Sequence, residues 1–120
     1  MEIRLPEKPV VWQNSSKKDL LTFPVPVIKE IGHALNMAQQ GDKSPDAKPL
    51  KGFGGVLEIV ENYDTDTYRA VYTVKFEKAI YVLHCFQKKS KKGIATPQQD
   101  IDLIKQRLKD AEQDYKEKFQ

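Results

Sequence analysis

The sequence predicts an α+β domain in which an N-terminal helical hairpin packs on a small antiparallel sheet and an amphipathic helix closes the chain. Three observations carry that prediction. Apolar residues recur at helical spacing between Pro26 and Ala38, three strand-like runs follow one another from Val56 to Gln87, and Thr96-Pro97 opens a second long helical stretch.

Val10, Val11 and Trp12 form a short apolar run ahead of Asn14 and Ser15, so a first strand turning into a helix is expected there. Ser16 to Phe23 fits two helical turns, stopped by Pro24 because the residue before a proline is pushed out of the helical region. From Pro26 onward Val27, Ile28, Ile31, Leu35 and Ala38 share one helix face, and Gly41 offers a C-terminal stop. These two helices make the hairpin. Asp42 to Pro49 is polar with two prolines and reads as a loop.

The strand-like runs are Val56 to Asn62, Tyr68 to Phe76 and Ala79 to Gln87, joined by a loop at Asp64 to Asp66 and a tight turn at Glu77 and Lys78. Short connections between successive strands predict an antiparallel meander. In the third run both alternating sets, Tyr81, Leu83, Cys85 and Val82, His84, Phe86, are largely apolar, which predicts a central strand buried on both faces. The last helix has Thr96 as its expected N-cap, Pro97 in its first position and Gln99 placed to complete a capping box. Ile101, Ile104, Leu108, Ala111 and Tyr115 line one stripe, with Glu112 and Lys116, and Asp114 and Lys118, as i,i+4 pairs beside it.

The 120 residues suffice for one core, so a single domain over residues 1–120 is expected. The 39% apolar content is too high for a disordered chain, yet no apolar run approaches the roughly 20 residues that span a bilayer. With charges in Met1 to Lys8, a cytoplasmic protein without membrane contact is expected. Cys85 is the only cysteine, which excludes an intrachain disulfide and reads as a core thiol.

Net charge is only +3, but from Lys78 to Gln99 there are five lysines and no acid, a segment that attracts phosphate. Lys88, Lys89, Lys91 and Lys92 leave the last strand together, and counting back from the hairpin turn sets Arg69 opposite position 86 or 87, within reach of Lys88. Lys51 precedes a glycine run that lacks the spacing of a nucleotide-binding loop, and it adds a further cation to the same cleft. His84 is the histidine placed on a strand and the natural candidate for acid or base chemistry; a hydrogen-bonded core histidine fits the same position. His33, on the second helix, reads as structural. Asn62, Asp64 and Asp66 have the alternation of a calcium loop, but Thr67 stands where its glycine belongs and Thr73 where its terminal glutamate belongs. No metal site and no cofactor is expected.

Lys48-Pro-Leu-Lys51-Gly-Phe, Val56-Leu-Glu-Ile, Tyr68-Arg69-Ala-Val-Tyr72 and Phe86-Gln-Lys88-Lys89-Ser-Lys91, followed by Thr96-Pro97 and a final helix, resemble the phage-derived HigB-like proteins of the RelE/ParE toxin superfamily over nearly the whole chain. The resemblance implies helices packed on a curved antiparallel sheet with RNA in an open cleft. It further implies the toxin of a type II toxin–antitoxin system, a ribosome-dependent mRNA endoribonuclease that works without metal and is silenced by a helix-turn-helix antitoxin. Arg69 matches the strand arginine of the superfamily, and Lys88 and Lys89 match its basic pair. Arg69 and Lys89 thereby become the expected stabilisers of transition-state charge, His84 the acid or base, and Lys51, Lys88, Lys91 and Lys92 the RNA-binding set. Two positions depart from the pattern: Val60 stands where many relatives carry an arginine, and no tyrosine follows the basic pair before Pro97. A ParE-like DNA gyrase inhibitor, or a noncatalytic phage-derived interaction protein, remains an alternative on the same fold.

Overall fold

The computed structural model describes residues 7–88 and 96–120. In chain order they form β1 (Val10–Trp12), α1 (Ser16–Leu20), α2 (Val25–Gln39), β2 (Ala47–Pro49), β3 (Val56–Tyr63), β4 (Asp66–Thr73), β5 (Ile80–Lys88) and α3 (Gln98–Phe119). The strands make one sheet in the order β1-β5-β4-β3-β2. The expected meander is there, with Arg69 opposite Phe86 as the hairpin count required. Helix α2 and helix α3 both stand where the apolar periodicity placed them.

The sheet differs from expectation in three respects. First, it is mixed: β1 runs parallel to β5, with Val11 opposite Tyr81, because the chain returns to β1 only after the helices and the whole meander. Second, the loop before Leu50 contains an edge strand, β2, paired antiparallel with β3. Pro49 is tolerated there because an edge strand has one side without ladder hydrogen bonds. Third, β5 is interior but β4 occupies the middle of the sheet.

The two sheet faces carry separate cores. On one, α1 and α2 deliver Leu20, Phe23, Val27, Ile31, Ala34 and Leu35 onto Ile59, Ala70, Tyr72, Ile80 and Val82. On the other, Ile104, Ala111 and Tyr115 of α3 cover Val56, Val71, Tyr81 and Leu83. A β-bulge divides β5: Tyr72 pairs with Val82 while Val71 pairs with His84, which leaves Leu83 as the extra residue. The bulge reverses the alternation, so Cys85 joins the α2 side with Val82, and His84 and Phe86 join Leu83 on the α3 side. Burial raises the Cys85 thiol to about 12, leaving it an inert core group.

Two helix-end expectations are corrected. Pro97, not Thr96, is the N-cap of α3, its carbonyl accepting from the Asp100 and Ile101 amides at 3.0 Å, while the Thr96 hydroxyl is drawn to a buried carboxylate, a stronger acceptor. Glu112 pairs with Lys75 at 2.6 Å rather than with Lys116, whereas the Asp114–Lys118 pair forms at 3.1 Å. Among the described residues no helix is long and apolar enough to cross a membrane.

Candidate functional site

The side chains of alternate residues on β3, β4 and β5 that point towards α3 change character along the sheet. Towards the β4–β5 connection Val56, Val71, Tyr81 and Leu83 form an apolar cluster; near the start of α3 lie Glu58, Arg69 and His84. Glu58 lies diagonally across from Arg69, which is directly opposite Val60. Arg69 Nη1 donates to Glu58 Oε1 at 2.8 Å, both side chains being 3% exposed, and Thr96 Oγ1 donates to Glu58 Oε2 at 2.8 Å. Arg69 Nη1 also reaches Thr96 Oγ1 at 3.5 Å. Lys48, facing Glu58 from β2, brings its ammonium to 3.9 Å from Oε1 while remaining largely in solvent. One buried carboxylate therefore gathers an arginine, a lysine and the threonine that leads into α3.

A cavity of about 540 Å³ opens beside this network. Lys48, Lys51, Glu58 and Thr96 supply its polar groups, and Pro49, Leu50 and Ile101 its apolar walls. Gly52, at φ +89°, and Gly55, at φ +73°, make the turn that carries Lys51 to the rim. A Cβ on Gly55 would lie 2.9 Å from Lys75 Cβ, so that glycine serves a close approach of two backbone segments, not a phosphate cradle.

His84 lies under the first turns of α3, 7% exposed and stacked on Phe86 with ring centroids 4.7 Å apart. Its Nε2 is 2.7 Å from Asp100 Oδ1, and its Nδ1 faces Arg107 Nη1 at 3.4 Å. Arginine can only donate, so Nδ1 accepts and Nε2 carries the proton towards Asp100. Arg107 also donates to the carbonyl of Leu83 at 2.9 Å, the residue that the bulge leaves without a strand partner. The arrangement fastens α3 to the bulge through polar contacts, and both ring nitrogens are engaged.

Of the residues expected from the sequence, Arg69 joins the Glu58 network, Lys51 lines the cavity beside it, and His84 lies on the same sheet face. Lys88 ends β5 opposite Thr67, two residues along β4 from Arg69. Lys89, Lys91 and Lys92 lie outside the described residues. His33 is exposed on α2. Sequence reasoning missed Glu58, Lys48, Asp100 and Arg107. Glu58 left a signal, as the one charged residue in the apolar run from Val56 to Val60. Arg107 left a weaker one, three residues after Ile104 and four before Ala111, on the buried stripe itself.

A second group of charges lies on the opposite sheet face. Carboxylate oxygens of Glu30 on α2, Asp46 before β2 and Glu61 on β3 all lie within 4.8 Å of one another. Glu61 Oε2 is buried with no donor beside it, and burial, with Asp46 and Glu30 adjacent, raises this carboxyl from its ordinary 4.5 to about 7.

The family model described as phage derived protein Gp49-like (DUF891) matches residues 18–109. Among solved structures, one chain of the toxin–antitoxin complex RelBE2 from Mycobacterium tuberculosis is similar at 15% identity, covering 74% of this chain and 100% of its own, with a TM-score of 0.47. No curated protein sequence matches the chain.

Proposed function

For a chain that belongs to the phage-derived Gp49-like family, we propose the role of toxin in a type II toxin–antitoxin pair, acting as a metal-independent, ribosome-dependent mRNA endoribonuclease. The observation that carries this reading is the convergence of Lys48 and Arg69 on the buried Glu58 carboxylate, beside an open cavity that Lys51 also lines. A phosphorane needs fixed positive charge in a partly dry site, and that is what a cation held by a buried carboxylate provides.

In this reading the ribose 2′-oxygen attacks the adjacent phosphorus, the bond to the 5′-oxygen breaks, and a 2′,3′-cyclic phosphate forms. Arg69 and Lys89 stabilise the charge that develops on phosphorus oxygens. Lys51, Lys88, Lys91 and Lys92 hold the RNA backbone. His84 moves the proton, and to do so it exchanges its contact with Asp100 or Arg107 for one with RNA. The silencing partner is a small helix-turn-helix antitoxin.

A noncatalytic docking role is the second reading. It is favoured by Arg69 being 3% exposed and by His84 having both nitrogens engaged. Inducing the chain in cells and mapping mRNA 5′ ends separates the readings. Cuts at fixed positions within translated frames are expected; supercoiling defects without cuts would favour a gyrase inhibitor, and neither would favour docking.

A further inference from the structure

Within the proposed RNA site, and resting on that reading for its biological substrate, we infer that the cavity beside Glu58 is a nucleobase pocket that prefers guanine. Glu58 lines the cavity although it is only 2% exposed, so a ligand entering there meets a carboxylate that water hardly reaches. Each carboxylate oxygen already accepts one strong hydrogen bond, Oε1 from Arg69 and Oε2 from Thr96, both at 2.8 Å. An ionised carboxylate offers about four acceptor sites, which leaves one on each oxygen.

Two adjacent acceptors call for a base edge with two adjacent donors. Guanine presents N1–H and the 2-amino group side by side. Adenine and cytosine present one amino group next to an unprotonated ring nitrogen, which would face the carboxylate lone pair to lone pair. Uracil presents one N–H flanked by two carbonyls. Guanine is thus the base that satisfies Glu58 without placing an acceptor against it.

The rest of the cavity fits a nucleotide. Pro49, Leu50 and Ile101 offer apolar surface to the faces of a ring, and Lys48 and Lys51 stand exposed at the rim for a phosphate. Its volume of about 540 Å³ falls within the roughly 300–1,000 Å³ usual for small-molecule pockets. Lys48, Lys51 and Arg69 set three positive charges against the one of Glu58, a balance suited to a phosphate.

The test is a calorimetric titration of the full chain with the 5′-monophosphates of guanosine, inosine, adenosine, cytidine and uridine up to millimolar concentration. Guanosine monophosphate should bind tightest, by on the order of tenfold over uridine monophosphate. Inosine monophosphate, which lacks only the 2-amino group, should fall between them. Lys51→Gln should weaken the guanine nucleotide and leave unphosphorylated guanosine unchanged, and Glu58→Gln should level the differences between bases. The inosine comparison needs no variant, so it decides the matter even if Glu58→Gln fails to fold. Equal affinities for guanosine and inosine monophosphates, or no binding by any of the five, would overturn the pocket. Guanine binding without mRNA cleavage would remove the nuclease reading and leave the pocket standing; cleavage without guanine binding would do the reverse.

Discussion

The two faces of the sheet solve the same packing problem with different residues. Helices α1 and α2 meet their face through an apolar set that includes Ile31, Ala34 and Leu35 against Ile59, Ala70 and Tyr72. Helix α3 meets its face through two kinds of contact. Ile104, Ala111 and Tyr115 are apolar, while Thr96, Asp100 and Arg107 reach Glu58, His84 and the carbonyl of Leu83. An apolar contact is indifferent to orientation, whereas each of these polar contacts is tied to one position. The α2 face is a core; the first turns of α3 hold a defined charged arrangement over an open cavity.

The difference is sharpest at Glu58 and Arg69. Removing one partner of a buried ion pair leaves the other charge uncompensated, so Glu58→Ala should lower stability by about 3–5 kcal/mol, read from the denaturation midpoint. Replacing both, as Glu58→Met with Arg69→Met, should recover most of that loss, because a well-packed apolar pair substitutes for a buried ionic one with little net cost. A double variant as unstable as the single one would mean that the pair shapes the fold rather than the site.

Ile104, fully buried beneath α3, tests the apolar half of the same face. Ile104→Ala should cost about 2–5 kcal/mol, the range for a truncated core side chain. An unchanged midpoint would make α3 peripheral.

The α2 face has one charged corner, and there the expected effect depends on pH. The Glu61 carboxyl is raised in the folded protein to about 7, so its favourable contribution is full below its ordinary 4.5 and is lost as pH rises through 7. The melting temperature should therefore fall between pH 5 and pH 8, and Glu61→Gln, which cannot ionise, should flatten that part of the profile. An identical slope in the variant would detach Glu61 from it.

The smallest expected effect lies at the turn joining β3 and β4, which belongs to neither face. Asp64 and Thr65 both have positive φ, +50° and +72°, and β-branched Thr65 is a costly occupant of that region. Thr65→Gly should raise stability by up to about 1 kcal/mol in thermal melts.

What the sequence revealed follows the same division. The meander, α2 and the stripe of α3 were legible because apolar periodicity reports burial directly, and counting back from the hairpin turn put Arg69 opposite position 86 or 87, of which the fold takes Phe86. Strand β2 was hidden because Ala47-Lys48-Pro49 is short, charged and proline-bearing, features of an edge and of a loop alike. The bulge at Leu83 was hidden because both alternating sets of β5 are apolar, and a reversal of phase then leaves no mark. Lys51 and Arg69 stood out as cations, but the buried acid that holds Arg69 beside the cavity did not: Glu58 and Thr96 are 38 residues apart, and only the folded sheet brings them to 2.8 Å.

Single-turnover cleavage of mRNA on programmed ribosomes, in the presence of EDTA, tests most directly whether the charged half of the α3 face cuts RNA. The wild type should cleave, and Lys89→Ala and Arg69→Lys should each lower the rate by roughly 10²–10³ while binding ribosomes nearly as well, since the stabilised charge develops in the transition state. Arg69→Lys keeps a cation beside Glu58, so a lost rate is not simply a lost fold. Undiminished cleavage by both variants, or none by the wild type, would contradict the account.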